Sequence, residues 1–272
     1  MILRIALCTD LRRLEERRVG TVDFIVLPEL ADGGYAALTR GEGTHAPRDE
    51  YFRHLLEISR RHHLVIVAGS ARVPVNAKAA ANTSFVFQRG RTVYRYDKIH
   101  LFRPTGDHRW FRAGTQARTT TIRIGNGRVR LGLIICFDLR FPELARRLTF
   151  QGMDLLVVPA RWPAVRADAW RTLLKARAIE NQVFVAGCNA AGMEGGPSCV
   201  FDPRGARISE VGDQTARGWK VFVLNLEARR EAKILYDTLR DAVFKSPGAP
   251  YRMGKFLKQQ EKGKQLPAPG SS

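Results

Sequence analysis

LGLIICFDLRFPEL, Leu131 to Leu144, is the stretch from which the rest of the chain is read. Its first half is a short, continuous apolar run of strand character, and its second half opens a helix with Pro142 in the first turn and Glu143 beside it. Cys136 stands where strand gives way to helix. A thiol on such an elbow faces helix N–H groups, whose positive end favours thiolate over thiol, and that is one route to a nucleophilic cysteine. The other reading is a small buried hydrophobe closing a core strand. Cys136 alone does not choose between them.

Outward from this stretch, strands and helices alternate. Ile2 to Cys8 and Val22 to Leu30 read as strands on either side of LRRLEERR, an Arg-rich short helix. Glu29 ends the second strand. Asp49 to His63 places Phe52, Leu55, Leu56 and Ser59 on one helical face. Strands at Asn82 to Phe87 and Thr92 to Tyr96 flank Arg89-Gly90-Arg91, a hairpin signal, and the second runs into Lys98. Thr119 to Ile124 and Val129 to Ile135 form a second hairpin around Gly125-Asn126-Gly127. The helix from Pro142 stops near Gly152, DLLVVPA is a strand, and a helix from about Asp168 turns Trp170, Leu173, Leu174 and Ala178 inward. VFVAGCNAAG is strand again, followed by hairpin strands, WKVFVLNL and a helix from about Glu227. This order implies a layered α/β domain spanning 1–245. From Ser246 the composition turns to Pro, Gly, Lys and Gln, so 246–272 is expected to be a mobile basic tail.

The 272 residues suit one domain with a large core. No apolar run approaches a membrane span, and Arg4 interrupts the N-terminal apolar stretch, so neither an anchor nor a signal peptide is expected and the cytoplasm is the expected compartment. Cys8, Cys136, Cys188 and Cys199 lack Cys-x-x-Cys spacing, which argues against a zinc site or a disulfide framework. A net charge of +19, from 45 Lys and Arg against 26 Asp and Glu, permits nucleic-acid binding, attraction of acidic substrates or a solvated basic surface. Arginines such as Arg60, Arg128, Arg146, Arg171 and Arg229 are scattered without a recognition motif, so a solvated surface is favoured and no specific nucleic-acid partner is expected.

Glu29, Lys98 and Cys136 each end a strand, where α/β folds gather their sites. A carboxylate can take the thiol proton, and a lysine with the backbone N–H after the nucleophile, that of Phe137, can hold the oxyanion of a tetrahedral intermediate. The set suits acyl transfer from a C–N bond.

LPEL around Glu29, YDKIHLF around Lys98 and CFDLRFPEL around Cys136 resemble, in order and spacing, the three signatures of the nitrilase superfamily of carbon–nitrogen hydrolases. The resemblance implies a four-layer α-β-β-α sandwich, a Glu29-Lys98-Cys136 triad, neither metal nor organic cofactor, and a homodimer or larger assembly. Within the superfamily, RWPAVRADAWRTLLKARAIENQVFVAGCNAAG (Arg161 to Gly192) is most similar to omega-amidases, which implies hydrolysis of a small carboxylated amide such as 2-oxoglutaramate through a thioester. The competing readings are an N-carbamoyl amino acid hydrolase, a nitrilase, and a binding protein with a vestigial triad.

Several positions keep two readings. Arg140 matches a carboxylate-binding arginine of related carbamoyl hydrolases, and equally suits a salt bridge to Glu180. Trp162 either walls the pocket or simply packs. Glu143 and Glu180 either orient site neighbours or form buried ion pairs. His100 is assigned no catalytic role. The resemblance places a second glutamate where this chain has Asp107, one methylene shorter, and a misplacement of roughly 1 Å can cost on the order of a hundredfold in rate. The link from Asp10 to Val22 and the segment Gly192 to Ser198 look short for the family.

Overall fold

The computed structural model describes residues 1–9, 14, 19–39, 46–76, 79–191, 196–209 and 218–242. The expected helix over LRRLEERR, most of the shortened segment after Gly192 and the basic tail lie outside the described residues.

Chain order gives β1 Ile2–Cys8, β2 Phe24–Val26, α1 Gly34–Thr39, α2 Ala46–Arg61, β3 Val65–Val67, β4 Ala71–Asn76, β5 Ala79–Gln88 and β6 Arg91–Asp97. Then come α3 Asp107–Trp110, β7 Thr120–Ile124, β8 Gly127–Leu133, α4 Pro142–Phe150, β9 Leu155–Ala160 and α5 Ala167–Asn181. The chain continues through β10 Phe184–Asn189, β11 Cys199–Phe201, β12 Arg207–Ile208, β13 Trp219–Asn225 and α6 Ala228–Leu235. Two sheets result. One runs β13-β1-β2-β3-β5-β4 with β6 along the other edge of β5, and the other runs β12-β11-β10-β9-β8-β7. In each, three parallel strands lie at the centre, β1-β2-β3 and β8-β9-β10, with antiparallel hairpins outside them.

Central strands are apolar throughout because both faces are covered. Leu3, Ile5 and Leu7 of β1, Phe24 and Val26 of β2, and Val65 and Val67 of β3 point into the core between the sheets, against Leu131, Leu133, Leu155 and Val157. The alternate residues Ala6, Ile25, Leu27 and Ile66 form a second core with Tyr51, Leu55 and Ile58 of α2. On the far side, Trp170, Leu174 and Ala178 of α5 bury against the second sheet. The layers are therefore α-β-β-α, as the sequence implies. The apolar face of α2 is centred on Tyr51, Leu55 and Ile58, whereas Phe52 and Leu56, expected inward, are only half-buried at its margin. Among the described residues no helix is long and apolar enough to cross a membrane.

Both hairpin signals fold as expected. Arg89 and Gly90 carry positive φ between β5 and β6, a two-residue turn whose twist suits the strands. The elbow differs from expectation in one respect: Cys136 opens a 3-10 turn, Cys136–Arg140, and the α-helix begins only at Pro142. The turn has a local cause. Asp138, fully buried, accepts the N–H of Ile135 at 3.0 Å, the Tyr96 hydroxyl at 2.7 Å and the His100 N–H at 2.8 Å, which curls the chain back on itself directly after β8.

Candidate active site

Glu29, Lys98 and Cys136 arrive from three strand ends. Glu29 follows β2 in a tight turn that leaves Leu30 at φ 46°. Ser70, after β3, grips this turn: its hydroxyl accepts the Leu30 N–H at 3.0 Å and its N–H meets the Pro28 carbonyl at 3.3 Å. The crossing is so close that a Cβ on Gly69 would run into the Pro28 carbonyl, and Gly69 also has φ 59°, so only glycine fits. Lys98 follows β6, its N–H bonded to the Asn82 carbonyl at 2.9 Å and its carbonyl to the Gly114 N–H at 2.8 Å.

The side chains converge in a dry cluster. Lys98 Nζ donates to Glu29 Oε1 and to Asp107 Oδ2, both at 2.8 Å, and all three residues are fully buried. Glu29 also receives the Asn82 side-chain N–H at 2.9 Å and the Arg161 main-chain N–H at 3.2 Å, and its charge bears on the neighbouring Cys136 thiol. Asp107 opens α3 and accepts the Tyr35 hydroxyl at 2.9 Å, the Thr105 hydroxyl at 2.8 Å and the Phe102 N–H at 3.0 Å. The shorter side chain thus reaches Lys98 from the first residue of a short helix, where Asp107 is fully buried.

The charges follow from these contacts. Burial opposes the Lys98 ammonium, but Glu29, Tyr35, Cys136 and Asp107 outweigh it and hold its pKa well above the usual lysine value. Burial likewise raises Asp107, yet Lys98 and the Phe102 and Thr105 donors win, and its carboxyl stays below the ordinary range. Tyr35 is pushed far up by burial and by Glu29, so it remains a donor. Cys136 corrects the sequence reading: its thiol lies well above the ordinary cysteine value, raised first by burial and then by Glu29, with Lys98 and the Arg161 N–H pulling less strongly the other way. Two carboxylates around one ammonium already leave an excess negative charge, and a thiolate would add another. The resting sulfur is therefore a thiol with a base beside it.

Cys136, at φ 48°, forms one wall of a mostly apolar pocket with Phe102, Phe137 and Trp162. Phe137, the residue after Cys136, lines the same pocket. Arg140 and Arg166 stand at the mouth, and Arg140 lies over the Trp162 ring at 4.9 Å. Trp162 is both wall and packing, since it is buried, meets Trp170 at 5.5 Å and donates its indole N–H to the Arg166 carbonyl at 3.1 Å. Among the described residues Arg140 makes no salt bridge. Glu180 is spent instead on Arg177, at 3.1 Å and one helical turn away, so the anticipated Arg140–Glu180 pair does not form. Glu143 is exposed in the first turn of α4 and touches neither the site nor a buried partner, which removes both of its readings. His100 pairs with Asp138 at 2.9 Å and stacks on Phe141, away from the thiol.

With this geometry, the family model for carbon-nitrogen hydrolases matches residues 13–233. The chain belongs to the carbon-nitrogen hydrolase family. Among relatives, the 2-oxoglutaramate amidase of Paenarthrobacter nicotinovorans is 35% identical over 82% of this chain and 79% of its own length. The omega-amidase YafV of Escherichia coli strain K12 is 32% identical, covering 86% of this chain and 90% of its own. A solved carbon-nitrogen hydrolase superfamily protein, XC1258 of Xanthomonas campestris, described with an arsenic adduct in its active site, superposes with a TM-score of 0.73 at 27% identity, over 90% of this chain and 98% of that one.

Proposed function

We propose that this carbon-nitrogen hydrolase cleaves the terminal amide of a small carboxylated compound, with 2-oxoglutaramate the first candidate. The observation that carries the chemistry is that one carboxylate, Glu29, is hydrogen-bonded to Lys98 and acts on the Cys136 thiol beside a pocket that this thiol lines. As the sulfur attacks the amide carbon, Glu29 takes its proton. Lys98 and the Phe137 N–H stabilise the oxyanion. Glu29 then returns the proton to the leaving nitrogen, the C–N bond breaks, and ammonia departs from a thioester. A water, its proton taken by Glu29, cleaves the thioester to a carboxylic acid and restores the thiol. Asp107, like Glu29, holds the Lys98 ammonium and acts as the second acid of the site. The names of the two amidase relatives support the substrate class, and four free thiols suit a reducing compartment such as the cytoplasm.

Specificity is assigned to Arg140. A guanidinium placed over the Trp162 ring presents a fork to a carboxylate at the pocket mouth while the amide reaches Cys136, so it gains rate through orientation as well as affinity. Ammonia release from 2-oxoglutaramate and from propionamide, in the parent and in Arg140→Ala, tests this. The variant is expected to lose far more kcat/KM on the carboxylated amide than on the neutral one. Equal losses would remove Arg140 from recognition, and faster turnover of nitriles than amides would overturn the substrate class.

A further inference from the structure

Arg161 directly follows β9 and meets Glu29 twice. Its main-chain N–H donates to the carboxylate, and its guanidinium Nε donates to the Glu29 carbonyl at 2.8 Å. A terminal nitrogen of the same guanidinium donates to the Leu30 carbonyl at 3.0 Å. These two carbonyls belong to the turn in which Leu30 takes a left-handed conformation that a leucine does not favour. Ser70 holds that turn from one side, and Arg161 holds it from the other. Room for the guanidinium comes from Gly34, at φ 71°, where an added Cβ would lie 2.8 Å from Arg161 Cζ.

We propose that Arg161 is a positioning residue: by clasping the Glu29 and Leu30 carbonyls its guanidinium fixes the Glu29 carboxylate where it meets both the thiol and Lys98. The obvious rival is that Arg161, a cation lining the pocket, receives the substrate carboxylate. Its hydrogen bonds argue otherwise, because Nε and one terminal nitrogen face main-chain carbonyls and so turn that edge of the fork away from a ligand. The inference rests on Glu29 being the general base.

The experiment compares Arg161→Gln, Glu29→Gln and the double variant in the full chain. Two readouts are needed: kcat and KM on 2-oxoglutaramate, and titration of Cys136 by thiolate absorbance, taken as a difference against Cys136→Ala. Releasing the clasp is expected to lower kcat on the order of a hundredfold with KM close to the parent. The thiol midpoint is expected to fall, as in Glu29→Gln, since both changes take a carboxylate from the sulfur; the double variant is expected to shift no further than Glu29→Gln alone. A raised KM with kcat and titration preserved would make Arg161 the carboxylate receptor. An upward shift, or additive ones, would make it a bare charge and equally overturn the proposal. The titration needs no substrate, so it separates two failures: an unmoved Glu29→Gln midpoint sinks the general-base reading, whereas an unmoved Arg161→Gln midpoint beside a shifted Glu29→Gln one sinks only the clasp. If Arg161→Gln does not fold, Arg161→Lys, which reaches one carbonyl, must show an intermediate loss of kcat at unchanged KM; a raised KM there overturns the idea.

Discussion

Cys136 just follows β8 and Cys188 lies on β10, the two strands that flank β9; both belong to the buried core, and burial pushes both thiols well above the ordinary cysteine value. What differs is the company. The Cys188 sulfur meets the Val26 carbonyl at 3.2 Å and is 0% exposed, whereas Cys136 feels the charge of the Glu29 carboxylate and is 8% exposed to a pocket. A raised thiol pKa is therefore no mark against reactivity in this protein. On the proposed mechanism, a base within reach of the sulfur and a path for an amide are what separate the nucleophilic thiol from the inert one.

The widest gap is expected from deleting each sulfur. Cys136→Ala should reduce ammonia release to background while leaving the fold intact. Cys188→Ala should keep kcat and lower stability by about 1 kcal/mol, the scale of removing one well-packed heavy atom. Paired kinetics and thermal melts check both, and comparable kcat losses in the two variants would erase the distinction.

A second comparison lies within the cluster. Glu29→Gln and Lys98→Met should each lower kcat by at least about a hundredfold, yet move the Cys136 thiol in opposite directions. Glu29 raises that thiol, so neutralising it brings the midpoint down; Lys98 lowers it, so removing the ammonium sends it up. Thiolate absorbance against pH reads the two signs. Shifts in one common direction would mean that burial alone sets the thiol. A rise in KM with kcat preserved would move either residue from chemistry to binding.

The three strand-end residues were legible because each closes a local strand pattern, a signal carried by a few consecutive residues. Tyr35, Asn82 and Arg161 were not. They meet Asp107 or Glu29 across separations of 72, 53 and 132 residues and carry no local pattern that marks them. Arg161 stood inside the quoted RWP run, but nothing short of the folded turn at Leu30 shows what its guanidinium holds. The direction of the thiol shift was misread for a related reason: an elbow suggests helix N–H groups, while the electrostatics are set by how many carboxylates the fold gathers around one lysine. Glu143 shows the opposite limit. Its place after Pro142 was read correctly as a first helical turn, but which way that turn faces depends on the 3-10 segment before it.

The smallest effect is expected at Thr105, and it tests what holds Asp107 as an anion. The Thr105 hydroxyl donates to Asp107 Oδ1 and helps keep the carboxyl below its ordinary pKa. Thr105→Val should raise that pKa slightly while Lys98 and the Phe102 N–H still hold it down. A carboxylate depressed in the folded state contributes stability above its unfolded pKa and loses it as pH falls through the folded one. The variant should thus melt a few degrees below the parent near neutral pH, for a lost hydrogen bond to a charged group of about 1 kcal/mol. That gap should close as pH drops below the ordinary carboxylate range, because a protonated Asp107 no longer gains from the missing donor. Thermal melts of both proteins from neutral pH into the acid range measure it. A gap that stays constant with pH would assign Thr105 to packing alone, and would leave Lys98 and the Phe102 N–H as the groups that keep Asp107 ionised.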